Sequence, residues 1–222
     1  MDCTHIPEIS CFYSDTIASH ILNPSAHFEY EMILVTDGSA QVQIHDRTYP
    51  LQRGSLLFIS RLEQHQFCIV KEPYCRYVLS VSSDLLLSHL NEPRLASIFM
   101  QRPEYFSHVV QLNEEQLAYF LPFFQKNADE YEKQPDFYTL QSIALLLSIL
   151  ISLYRLYPNA FPMEDSSSLS AAVLNAQIYV SRHFNRKLTL QEIADQCFLN
   201  RHTLSLAFKE IVGITFKEYL LL

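Results

Sequence analysis

The chain has no cysteine pair at C-x-x-C spacing and no excess of basic residues, and its most apolar run reads as too short to span a bilayer. Its five cysteines, at positions 3, 11, 68, 75 and 197, match no metal-finger spacing, and the odd number leaves one unpaired in any disulfide scheme. A reducing cytoplasm is therefore the expected setting. Lys and Arg number 16 against 24 Asp and Glu, a net charge of −8, which argues against a generic nucleic-acid binder with a basic surface. The most apolar run, Ile143 to Leu153, is interrupted by Ser148 and Ser152, so it reads as a buried helix and no membrane contact is expected. The N-terminal MDCTHIPEISCFYSD lacks a basic start followed by an apolar core, so no signal peptide is expected.

What is present describes a globular protein of one large or two small domains: 222 residues, 49% hydrophobic and 18% charged. The charge is uneven. From Ser170 to Leu222 there are six Lys or Arg against four Asp or Glu, which leaves the first 169 residues at −10. An acidic body with a mildly basic tail fits a regulator better than a histone-like protein.

From about Ile9 to Ser82 the pattern has period two. Ala40, Val42 and Ile44 alternate with Gln41, Gln43 and His45, the mark of a half-buried strand. Asp46 and Arg47 suggest a turn before Thr48 to Leu51, Gly54 punctuates the next connection, and SLLFIS, HQFCIV and RYVLSV follow as further short strands. Such spacing predicts an antiparallel sandwich or small barrel.

Beyond Asp84 the period becomes helical. The segment LASIFMQRPEYF is ambiguous, Asn113 with Gln116 opens a helix to about Glu132, and Phe137 to Tyr157 reads as a helix that is apolar nearly all round. Such a helix needs cover on more than one face, and a matching helix in a second copy is the expected source, giving a homodimer through 137–157. PNAFPMEDSSS, 158–168, has the composition of an exposed linker. A helix capped by Ser168 or Ser170 and carrying Leu174, Ile178, Val180 and Phe184 follows, then a polar corner at Asn185, Arg186 and Lys187.

The stretch LTLQEIADQCFLNRHTLSLAFKEIVG, 188–213, reads as two short helices and a tight turn. Thr189 and Glu192 form a capping box, Asn200 caps the second helix and Gly213 ends it. Leu204, Ala207, Phe208 and Ile211 point inward. Arg201, His202, Ser205, Leu206 and Lys209 face outward, placed to enter a DNA groove.

Two motifs carry resemblances. His27, Glu31 and Gly38 keep an H-x3-E-x6-G spacing, and Gly54 with His65 keeps the spacing of a second motif; together they resemble a cupin barrel, in which these side chains point into the barrel mouth. Enzymatic cupins usually hold a metal with three histidines and a glutamate. Here Ser25 stands at the first histidine, Ser60 and Leu62 replace the expected Pro and Gly, and Ile69 replaces the closing Asn. The remaining His27, Glu31 and His65 suffice for a two-histidine, one-carboxylate metal site, for hydrogen bonding to a polar ligand, or for satisfying one another at the rim. The polar-ligand role is favoured, with Tyr77 added to the set and no metal or cofactor expected.

The tail LTLQEIADQCFLNRHTLSLAFKEIVGITFKEYL resembles the AraC/XylS family of bacterial transcriptional regulators, with its L-x-x-x-A, turn, L-S-x-x-F-K and G-x-x-F-x-E-Y pattern. The implied architecture is α+β: a cupin-like antiparallel β-barrel at 1–84 that senses ligand, a helical dimerisation region at 85–157, the linker, and an all-α helix-turn-helix at 169–222. The implied function is a ligand-responsive, non-enzymatic, cytoplasmic DNA-binding regulator that takes a small polar effector. Phe198 stands where the family commonly has a turn glycine, so a rearranged turn, or another residue at the unusual backbone angle, is expected there. Leu206 stands where Arg is common, leaving an apolar contact such as a thymine methyl. Family members carry two helix-turn-helix units, and the chain reaches Leu222 where the helix joining them begins, so weak binding to double-stranded DNA is expected from one reader. The alternatives are a metal-dependent cupin isomerase or dioxygenase, and a shortened modulator that dimerises with a full-length regulator.

Overall fold

The computed structural model describes residues 8–16, 22–90, 92–103, 105–162, 168–183, 186–212 and 214–220. Contacts divide the chain into two units, Met1–His89 with Ser107–Arg155, and Leu90–Phe106 with Leu156–Leu222.

Among the described residues, the first unit is built on six antiparallel strands: β1 (Ile9–Thr16), β2 (Tyr30–Ile44), β3 (Arg47–Gln52), β4 (Ser55–Ile59), β5 (His65–Val81) and β6 (Val109–Gln111). Their order is β1-β5-β2-β4-β6, with β3 paired to β2. The segments HQFCIV and RYVLSV, which read as separate strands, are one long strand, and β2 pairs with it from Tyr30↔Val81 to Ile44↔His65 across bulges near Val35 to Ala40. The first hairpin turn lies at His45–Asp46, one residue earlier than the composition suggests, because His45 takes φ +51° and Arg47 already pairs with Ile44.

Ile33, Val35, Val42 and Ile44 of β2, Leu51, Leu57, Ile59, Ile69 and Val78 bury a common core. Residues from separated stretches of the sheet meet there only because it rolls round its own apolar face. Gly38 and Gly54 stand where two stretches of backbone approach too closely for a side chain. They hold φ +73° and +84°, and a Cβ would come within 2.1 Å of the Pro73 carbonyl oxygen and 2.5 Å of the Leu112 carbonyl oxygen, respectively.

After α1 (Ser83–His89), the helices of this unit are α3 (Glu114–Lys133) and α4 (Tyr138–Leu156); α2 (Pro93–Met100) belongs to the other unit. Asn113 and Gln116 close a reciprocal capping box on α3. On its inner side Leu117, Phe120 and Phe124 are buried, and Phe124 reaches β1 through the Cys11 thiol and β5 through Tyr77. By length and composition α4 could cross a membrane. Seven of its residues, including Leu146, Ile149, Leu150 and Leu153, are instead buried in the unit, so it serves as a core helix.

In the second unit, α2 packs beside α5 (Ser168–His183), α5 packs on α6 (Leu190–Gln196) and α7 (Arg201–Val212), and α8 (Phe216–Leu220) packs on α7. Val173, Ala176, Val180, Ile193, Ala194, Leu204, Ala207 and Phe208 form its core, and the Phe208 ring meets Phe216 and Tyr219 edge-on. The linker composition at 158–162 hides a short 3-10 turn, Pro158–Ala160, followed by a buried Phe161. Phe184, Asn185 and Gly213 lie outside the described residues, as does the Leu174 side chain.

Candidate functional site

β2 and β5 alternate, and the alternation decides which side chains enter the barrel. Glu31 continues the inward row of Ile33 and Val35, and His65 continues that of Phe67 and Ile69. His27 approaches from the segment before β2. Its Nε2 lies 3.1 Å from Glu31 Oε2, and its ring centroid is 5.1 Å from that of His65.

Both imidazoles are oriented by the backbone. Each Nδ1–H donates to a carbonyl, His27 to Glu29 at 2.9 Å and His65 to Glu63 at 2.9 Å. Carbonyl oxygens only accept, so this leaves each Nε2 as the variable position. At His65 the Ser25 hydroxyl meets Nε2 at 2.8 Å. At His27 the Glu31 carboxylate is close but off the nitrogen axis, so Nε2 has no aligned hydrogen-bond partner. Ser80 donates to the other Glu31 oxygen at 3.0 Å.

The electrostatics follow from this arrangement. Burial works against charge on His27, but the Glu31 carboxylate outweighs it and raises the imidazole above its ordinary value. Burial likewise works against the Glu31 anion, and His27 outweighs it and lowers the carboxyl. Burial pushes His65 below its ordinary value, which keeps its Nε2 a lone pair. The ligand atoms of His27, Glu31 and His65 all lie within 4.8 Å of one another, a donor set that suits a divalent transition metal.

Tyr77 does not join them. The inward row at this end of β5 is Val78 and Ser80, so Tyr77 points to the opposite face, 6.4 Å from the Phe124 ring and 5.2 Å from Tyr13. Reading the sequence also passed over Ser80, Glu63 and His108 as site neighbours. Ser80 alone left a signal, the alternation with Val78.

In the tail, the outward set on α7 stands as its periodicity predicts. Arg201, His202, Leu206 and Lys209 are exposed, and Ser205 is half-buried. Glu210 is exposed too, an acid next to Lys209 that the expected outward set left out. Asn200 caps α7 by accepting from Thr203 N–H at 2.8 Å. The expected capping box on α6 forms only by half: Thr189 accepts from Glu192 N–H at 3.2 Å. The Glu192 carboxylate instead binds the Arg186 guanidinium and the Tyr179 hydroxyl, a charge-assisted contact. At the turn, Phe198 itself takes the left-handed conformation, φ +55°.

A family model of the AraC-like ligand binding domain matches residues 7–150, and one of bacterial regulatory helix-turn-helix proteins of the AraC family matches residues 180–221. The chain belongs to the AraC family. It is a transcriptional regulator that joins an AraC-type ligand-binding domain to a DNA-binding helix-turn-helix. A structure of ToxT from Vibrio cholerae strain SCE256 with bound unsaturated fatty acid shares the fold. Its TM-score is 0.53 at 13% identity, over 96% of this chain and 76% of that one. The AraC-like transcriptional activator CuxR aligns at TM-score 0.43 and 12% identity, over 87% of this chain and 65% of that one. No curated protein matches the chain.

Proposed function

We propose that this AraC-family regulator responds to a small polar molecule held in the barrel by His27, Glu31 and His65. The observation that supports this is the convergence of a carboxylate and two imidazole Nε2 atoms, each ring tied by its Nδ1–H to a backbone carbonyl. The Glu31 carboxylate and the Nε2 lone pair of His65 accept, so the cluster selects a ligand that brings hydroxyl or ammonium donors. The unsaturated fatty acid in the ToxT structure carries a carboxylate, which Glu31 would repel. The effector shifts the population between arrangements of the regulator, so it must contact them unequally.

On the DNA side, Arg201, His202, Ser205 and Lys209 contact bases or phosphates, and Leu206 makes an apolar contact. On α4, Leu140, Ala144, Leu147 and Ile151 recur at steps of four, three and four residues, and Leu140 and Ile151 remain 58% and 39% exposed. That spacing is a coiled-coil seam, and it supports a homodimer through α4. The regulator acts in the cytoplasm and performs no catalysis.

The test is a thermal-shift screen of the full chain with pentoses, hexoses, polyols and amino sugars. A ligand at about one hundred times its Kd stabilises by about 2.7 kcal/mol, and Glu31→Gln or His65→Ala abolishes the shift. A screen in which no compound shifts the wild type, or in which these variants respond like it, refutes the assignment. Lys209→Ala weakens binding to all DNA sequences alike and lowers the salt slope by about one, whereas Arg201→Ala changes base preference.

A second reading rests on the same three ligand atoms: a bound metal ion in place of an organic effector. The Ser25 hydroxyl already meets His65 Nε2, so the ion would have to displace or recruit it. Stoichiometric iron, manganese or zinc in protein purified without chelator would favour this reading.

A further inference from the structure

The turn at 60–64, between β4 and β5, grips the effector cluster. Leu62 N–H donates to the His27 carbonyl at 2.7 Å, Arg61 Nε–H donates to the Phe28 carbonyl at 3.1 Å, and the Glu63 carbonyl accepts the His65 ring at 2.9 Å. The turn is held under strain, since Leu62 sits at φ +57°, a conformation that costs a side-chain-bearing residue about 1 kcal/mol.

The turn is anchored on its other side by Glu63. Its carboxylate is 4% exposed, accepts Ser60 N–H at 2.8 Å, and lies 2.8 Å from Nε2 of His108. Nδ1 of His108 is 3.0 Å from the Tyr49 hydroxyl. Burying two ionisable groups is a poor way to gain stability, because apolar residues of the same volume serve as well or better. Position gives the pair another use. His108 immediately precedes β6, and its carbonyl accepts Phe58 N–H at 2.9 Å. β6 then leads through Leu112 and Asn113 into α3.

We propose that Glu63 is a positioning residue for the effector cluster, and that the Glu63–His108 pair couples the cluster to β6 and the start of α3. This rests on reading His27, Glu31 and His65 as the effector site. A ligand that shifts the His65 ring pulls on the Glu63 carbonyl, and the rigid turn passes the displacement to the carboxylate and so to His108. Neither residue touches the effector.

The coupling can be tested in the full chain without an effector. His65→Ala perturbs the cluster end, and amide hydrogen exchange is read at Val109 to Gln111 and in the first turn of α3. In the wild-type background His65→Ala speeds exchange there about three- to ten-fold. In a His108→Leu background the same change has less than about a two-fold effect, as a double-mutant cycle of coupled sites requires. His108→Gln, which can still donate to Glu63, restores the response; a merely structural role would show no such rescue. An equal response in all backgrounds, or none in the wild type, overturns the coupling. If His108→Leu does not fold, imidazole nitrogen NMR of Glu63→Gln and Tyr49→Phe replaces it. Loss of the single Nδ1–H tautomer at His65 is expected there, and an unchanged tautomer overturns the positioning role. Failure of the thermal-shift screen with this coupling intact would remove the polar-effector reading alone.

Discussion

At the scale of single residues, Phe198 sets a local cost against no visible packing gain. It holds φ +55° and is 96% exposed. Phe198→Gly should stabilise the chain by up to about 1 kcal/mol by removing the left-handed strain, read by urea unfolding. A loss of stability would show that the ring packs in solution. The His27–Glu31 pair predicts a pH profile. His27 is raised, so its contribution is complete below the ordinary imidazole value of 6.5 and is lost as pH climbs through the raised value. Glu31 is lowered, so its contribution is complete above the ordinary carboxyl value of 4.5 and is lost as pH falls through the lowered value. The stability difference between wild type and Glu31→Gln should therefore peak between those two ordinary values and shrink on both sides. A flat difference would mean that the pair is not ionic.

At the scale of elements, α4 divides into two faces with opposite expectations. Leu146 is fully buried, and Leu146→Ala should destabilise the chain by about 3 kcal/mol through lost burial and an unfilled cavity. Leu140→Lys with Ile151→Lys alters the exposed face only. It should leave monomer stability within about 0.5 kcal/mol while sedimentation shows loss of the dimer. A double variant that stays dimeric places the interface elsewhere. Helix caps and periods were legible at this scale: the Asn113 box, the Asn200 cap and the outward set of α7 depend only on residues within a few positions of one another. The α6 box failed in its second half because Arg186, outside the helix, competed for Glu192.

At the scale of the whole molecule, the two units interleave along the chain. The segment Leu90–Phe106 lies in the unit of the tail, where Ala96, Ile98, Phe99 and Met100 of α2 are buried. A fragment of residues 156–222 should therefore be less stable than one in which 90–106 is joined to it by a Gly/Ser linker. The deficit should be about 2 kcal/mol, from exposing apolar surface of α5. Equal melting of the two fragments would show that α2 contributes nothing to this unit.

What the sequence by itself determined was local or periodic: strands then helices, the inward and outward sets of α7, and the spacings that match a ligand-binding barrel and a helix-turn-helix. Only the tertiary structure decided which side chains meet at the candidate site. Ser25 meets His65 across 40 residues, Ser80 meets Glu31 across 49, and His108 meets Glu63 across 45. Tyr77 was excluded by the register of β5, since one step along a strand carries a side chain to the other face. Such contacts depend on where a long strand pairs and how far the sheet rolls, which are properties of the assembled core and of no single stretch of chain.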